Sequence, residues 1–248
     1  MTLPSTKTLA GLTVLVLAAS FAMIFFFAPL DADQGFIQKI FYVHVPLAIC
    51  ALGGFVLAAI HSIRHLRTGD AIHDVRSYVS IHLSIIFAVA TLITGAIWAR
   101  ASWGTWWVWQ EPTLVSFLIV FLLYCTYYPL RYAIEDRERQ ARYASVFAIT
   151  AGAFVPLNFM AVRMAQSLVH PRVFATSQGG LPADIAIAFL VSIVGMGLLW
   201  WPLFRFEMTA KSTKSQVSRL RRALDAEAPV ANTSRIAPSM PREAAQQG

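Results

Sequence analysis

Two histidines and one aromatic cluster hold most of the chemical potential of this 248-residue chain. The stretch Trp103-Gly104-Thr105-Trp106-Trp107-Val108-Trp109 contains four of the seven tryptophans. A lone tryptophan at a membrane boundary is explained by its amphipathic ring, but four in one turn make a shelf for a large, flat, apolar ligand. Of the six histidines, His44 lies in Phe41-Tyr42-Val43-His44-Val45-Pro46, within an apolar run, and His170 follows another run and precedes Pro171. An ionisable group inside an apolar span is costly and marks a functional site by default. Two imidazoles from different segments, facing each other over a flat apolar surface, suit the two axial positions of a haem iron. Each also has a plainer reading, His44 as an interfacial residue bonded to a neighbouring helix and His170 as a loop residue.

The elements that must position these groups follow from composition. Hydrophobic residues make up 57% of the chain and charged residues 13%, which excludes an ordinary soluble domain. A bilayer-crossing helix needs roughly 17–25 apolar residues, and six such runs lie near Thr8–Pro29, Ile40–Ile63, Tyr78–Trp98, Thr113–Tyr132, Ala144–Met164 and Asp184–Phe206. The first is too long for a signal-peptide core and lacks a small-x-small cleavage site after Phe25-Phe26-Phe27, so it reads as a true span. With a cytoplasmic N-terminus, sixteen of the twenty Lys and Arg residues fall on the inside, the asymmetry that the positive-inside rule describes. The expectation is an all-α, polytopic membrane protein with six transmembrane helices, both termini cytoplasmic and the tryptophan loop facing outward. Residues 1–207 form one membrane domain in this reading. Residues 208–248 form a basic, largely disordered cytoplasmic tail, with a short helix around Val217–Ala226.

The net charge of +7 then reflects topology and gives no reason to expect nucleic-acid binding. Pro46 is expected to kink the second span or mark its start, tilting His44 toward the loop. The outward-facing cations available to a haem's propionates are Lys39, Arg100, Arg163 and Arg172. Arg163 precedes His170 by seven residues, which places both on nearly one face of a continued helix. His61 and His65 are spaced like a metal pair but sit among arginines at an interface. Cys50 and Cys125 read as core residues. No nucleotide-binding motif is present, so ATP hydrolysis would belong to another chain.

The segment Ile97-Trp98-Ala99-Arg100-Ala101-Ser102-Trp103-Gly104-Thr105-Trp106-Trp107-Val108-Trp109 resembles the tryptophan-rich signature of the haem-handling proteins of cytochrome c assembly. Six spans in about 250 residues are similar to the haem exporter protein C family of the cytochrome c maturation system, over roughly Gly35 to Trp201. The resemblance implies that His44 and His170 match the family's axial ligands. It also implies a cofactor site of Trp103, Gly104, Trp106, Trp107, Trp109 and Glu111 with Arg100 and Arg163. It implies non-covalent haem b held at the outer, periplasmic face of the bacterial inner membrane. From there haem would be presented to a haem chaperone, protein E of the pathway, alongside an ABC-type complex of proteins A, B and D, with no enzymatic step in this chain. Two departures stand out. Gln110-Glu111-Pro112 replaces the family's acidic-x-Arg segment, and Met164-Ala165 replaces aromatics before the second histidine. Two other classes remain in view. A b-type electron-transfer subunit needs facing histidines within the spans, and a permease subunit of an ABC transporter needs buried charge along a pathway.

Overall fold

In hydrocarbon every backbone N–H and C=O must be bonded within the chain, so apolar runs of this length fold as helices. The computed structural model describes residues 5–164, 169–170 and 181–233. The chain divides into two compact units, Met1–Met208 and Thr209–Gly248. Among the described residues the elements are α1 (Thr6–Ala22), a π-helical turn (Met23–Phe27), a 3-10 turn (Phe36–Ile40), α2 (Phe41–Thr68), α3 (Ala71–Trp103), α4 (Pro112–Cys125), α5 (Tyr127–Tyr132), α6 (Arg137–Met164) and α7 (Ala183–Thr233). Among the described residues six stretches are long and apolar enough to cross a membrane, and each overlaps one of the six expected runs. The fourth is α4 and α5 together, Pro112–Tyr132. α7 runs on to Thr233, through the segment Val217–Ala226 where a short helix was expected; residues 234–248 lie outside the described residues.

The helix ends are written in local chemistry. Ser5 accepts a bond from the Thr8 amide and Asp70 from the Ile72 amide, each satisfying a donor that a helix start leaves orphaned. Gly69 (φ 72°) and Gly104 (φ 75°) end α2 and α3 in the left-handed conformation that a Cβ disfavours. Gly69 therefore allows α2 to turn straight into α3. Pro46 lies inside α2, in its second turn, and the helix begins at Phe41 after the 3-10 turn.

Close helix contacts use small and hydroxylated residues, as is usual where lipid supplies no hydrophobic driving force. Ser62 bonds Ser77 at 2.8 Å between α2 and α3, and Ser20 bonds Ser192 at 2.8 Å between α1 and α7. A Cβ on Gly54 would stand 2.0 Å from Ser84 Oγ and 3.2 Å from Trp200 Nε1, so a larger residue would have to push the Ser84 hydroxyl aside where α2 meets α3 and α7. Phe55 and Tyr124 stack at 3.8 Å, and the Tyr124 hydroxyl is within 3.3 Å of the Phe55 carbonyl and 3.2 Å of the Ala148 carbonyl.

The end of the first unit opposite the tryptophan loop holds an ionic network that sequence reading did not anticipate. Arg131 donates to both carboxylate oxygens of Asp74 at 2.7 and 2.6 Å and to the Tyr127 hydroxyl at 3.0 Å. Its guanidinium also lies 5.4 Å from the Tyr78 ring centre. Nearby, His82 pairs with Glu207 at 2.8 Å. Asp74 and Arg131 are both buried. Removing one partner of such a pair strands the other, so Arg131→Ala or Asp74→Asn should cost about 3–5 kcal/mol. The paired replacement Asp74→Leu with Arg131→Met should cost clearly less than either. Thermal unfolding of the detergent-solubilised protein reads all three.

Candidate functional site

At the other end, α2, α3, α4 and α6 enclose a cavity of about 440 Å³ whose lining includes His44 and His170 together. Its volume falls in the range of about 300–1,000 Å³ usual for small-molecule sites. Two histidines 126 positions apart in the numbering thus share one space. Trp98, Trp103, Trp106 and Trp107 supply aromatic wall, and Arg163 supplies positive charge.

The α3 face beneath the tryptophan loop builds one side. Thr91, Thr94, Gly95 and Trp98 recur at helical spacing and form a single stripe. His44 Nδ1 lies 3.1 Å from the Thr91 carbonyl oxygen and 3.1 Å from Thr94 Oγ1. A carbonyl can only accept, so Nδ1 carries the proton. Thr94 directs its own hydroxyl to the Ala90 or Thr91 carbonyl, at 2.8 and 3.1 Å, and so can accept from His44 as well. The basic lone pair of His44 therefore resides on Nε2, the tautomer a metal requires when the other ring nitrogen is held by an oxygen. A Cβ on Gly95 would stand 2.8 Å from His44 Cε1, so the imidazole lies flush against a bare stretch of helix.

His170 is placed differently. It stands in a bend outside the helices, with its backbone N–H 3.2 Å from Glu111 Oε2, and the Val169 N–H lies 3.0 Å from the same oxygen. Glu111 is fully buried and caps α4 through the Thr113 amide at 3.4 Å. Edge-on contacts from Trp98 (6.2 Å) and Trp103 (6.3 Å) flank the His170 ring. These two indoles meet each other at 4.8 Å, and Trp98 donates to Gln34 Oε1 at 3.0 Å. Gln34 is itself fixed by a turn in which Asp31 accepts from the amides of Asp33 and Gln34. The acidic first loop is thus a brace for Trp98.

Several expected site residues have other placements. His170 lies in a bend, so it and Arg163 of α6 reach the cavity without sharing one continuous helix face. Lys39 is buried and donates to the Ile24 and Ala28 carbonyls at 2.5 and 2.9 Å, closing the π-helical turn that ends the first span. Arg100 bonds the Gly104 carbonyl and, like Gly104, Trp109 and Glu111, is outside the cavity lining. Trp109 is 68% exposed and packs its edge on Trp107 at 5.9 Å. Arg172 lies outside the described residues. Sequence reasoning missed Gln34, Thr91, Thr94, Gly95, Asn158 and the wall role of Trp98. The α3 stripe was available from helical spacing. The wall residue Asn158, bonded to Ser116 at 2.7 Å, carried no local signal. Elsewhere His61 stacks on His73 at 5.7 Å and His65 bonds Ser145 at 2.9 Å, so the spaced pair forms no joint site.

The family model described as Heme exporter protein C matches residues 1–223. The chain belongs to the heme exporter protein C family. Its relatives include Heme exporter protein C of Rhodobacter capsulatus, 33% identical over 217 residues, spanning 85% of this chain and 89% of that protein. The Haemophilus influenzae protein of the same name is 30% identical over 203 residues, spanning 80% and 82%. The Escherichia coli K12 protein is 30% identical over 160 residues, spanning 64% and 65%.

The contact between Gly95 and His44 gives a direct test. Gly95→Ala adds helix propensity of about 0.8–1 kcal/mol but displaces the imidazole from its two oxygen partners. Losing one such bond, about 1 kcal/mol, corresponds to roughly fivefold faster modification of His44 by diethyl pyrocarbonate. Mass spectrometry reads the rate, and the unfolding temperature should fall slightly, because two lost bonds at about 1 kcal/mol each outweigh the added propensity.

Proposed function

We propose that this protein holds haem b non-covalently at the outer, periplasmic face of the bacterial inner membrane and hands it to a haem chaperone during cytochrome c maturation. One observation carries the reading: His44 and His170 line one tryptophan-walled cavity. His44 Nε2 and the His170 imidazole would hold the haem iron, and Arg163 is a described cation suited to a propionate. Trp103, Trp106 and Trp107 offer the flat apolar wall against which a porphyrin packs.

The excess of Lys and Arg near the termini and in alternate loops supports the outward orientation of this cavity. Relatives are named heme exporters, which supports a transport component; the partners we propose for it are ABC-type subunits, proteins A, B and D, and the chaperone, protein E. The protein's own contribution is binding and positioning. Bond-making belongs to the chaperone, and ATP hydrolysis belongs to the ABC-type partners. The electron-transfer alternative loses support because His82 pairs with Glu207, away from the cavity.

Protein purified from haem-replete cells should show a Soret band of bis-imidazole character. His44→Ala and His170→Ala should each convert or abolish that band, whereas Arg163→Ala should keep its shape and weaken haem retention about tenfold, the size of one charge-assisted contact. A wild-type spectrum indifferent to both histidine substitutions would remove the reading.

A further inference from the structure

We infer that Glu111 is a positioning residue for His170: its buried carboxylate fixes the backbone at Val169 and His170 and so sets where the second imidazole stands. Glu111 has no exposed surface and is not part of the cavity lining, so it does not reach the space where cargo would sit. Its two oxygens face different elements. Oε1 lies 3.4 Å from the Thr113 amide in the first turn of α4, and Oε2 lies 3.0 and 3.2 Å from the amides of Val169 and His170. The Glu111 amide donates to the Val108 carbonyl at 3.2 Å, which joins the tryptophan loop to the same point. One residue thus links the aromatic loop, the start of α4 and the segment carrying His170.

The chemistry requires a carboxylate of this length. Ionised oxygens accept N–H bonds more strongly than neutral ones, and the start of α4 favours negative charge. A glutamine at the same place presents an oxygen to one side only. Its NH₂ would then face backbone N–H groups on the other, donor against donor. An aspartate keeps the charge but is a methylene short of serving both elements. The spectral consequence rests on the haem reading above, while the tethering itself does not.

The test uses the full chain in detergent, haem-free, with diethyl pyrocarbonate modification of each histidine followed by mass spectrometry. Glu111→Gln should speed modification of His170 about tenfold, the equivalent of one lost charge-assisted bond, with His82 unchanged; Glu111→Asp should fall between. In the haem-loaded protein the Glu111→Gln spectrum should move toward that of His170→Ala, and added imidazole should restore both. His170 rates within about twofold of wild type in the variants, below the effect of losing a single bond, would overturn the assignment. So would an equal rise at every histidine. If Glu111→Gln does not fold, Glu111→Asp decides on the same measurement. A wild-type spectrum insensitive to His44→Ala and His170→Ala would defeat the haem reading, and the haem-free rates would still decide the role of Glu111.

Discussion

A single N–H donated from His44 to the Thr91 carbonyl sets the character of the cavity, because it fixes which ring nitrogen keeps a lone pair. That bond exists only if α2 and α3 run close together along their length. The chain arranges this with a left-handed glycine at Gly69, a hydroxyl pair at Ser62 and Ser77, and bare backbone at Gly54 and Gly95. Each of these sites replaces side-chain bulk with proximity, the means by which helices associate in lipid. The ligand chemistry at one end of the helix pair is therefore a consequence of packing along the whole of it.

The two ends of the first unit divide the polar work. The cavity end is lined mostly by apolar and aromatic groups, with polarity confined to a few aimed side chains. The other end concentrates ions in the Asp74–Arg131 and His82–Glu207 pairs, closely flanked by tyrosines. Charge within hydrocarbon is tolerated when it is paired and hydrogen-bonded, and these pairs tie α3 to α5 and to α7. Cations near the cavity end have similarly local duties. Lys39 closes the end of the first span, and Arg100 bonds the residue that ends α3.

Acidic side chains around the site act on backbone rather than on the cavity. Asp31 builds the turn that presents Gln34 to Trp98, and Glu111 accepts from the amide of His170 itself. Glu111 does so from a fully buried position, satisfying main-chain donors beside a low-dielectric wall, whereas Asp31 shapes a half-exposed turn. The aromatic wall is held by these polar braces, since indole faces alone leave orientation loosely determined.

By itself, the sequence established six spans, the tryptophan loop at a helix end and two histidines of unusual placement. Hydropathy, local aromatic density and helix-ending residues such as Gly104 are properties of short windows, and they survive without knowledge of neighbours. Helical spacing also contained the Thr91–Thr94–Gly95–Trp98 stripe, although nothing in one helix announces what it faces. Tertiary structure decided the rest: that Arg163 reaches the cavity while Lys39 and Arg100 do not, and that Glu111 serves His170 through its backbone. The last of these joins elements 59 positions apart, whereas Lys39 and Arg100 are taken up by carbonyls within 15 and 4 positions of themselves. A charged side chain takes its role from the nearest unsatisfied donor or acceptor, and only the folded packing of helices determines which one that is.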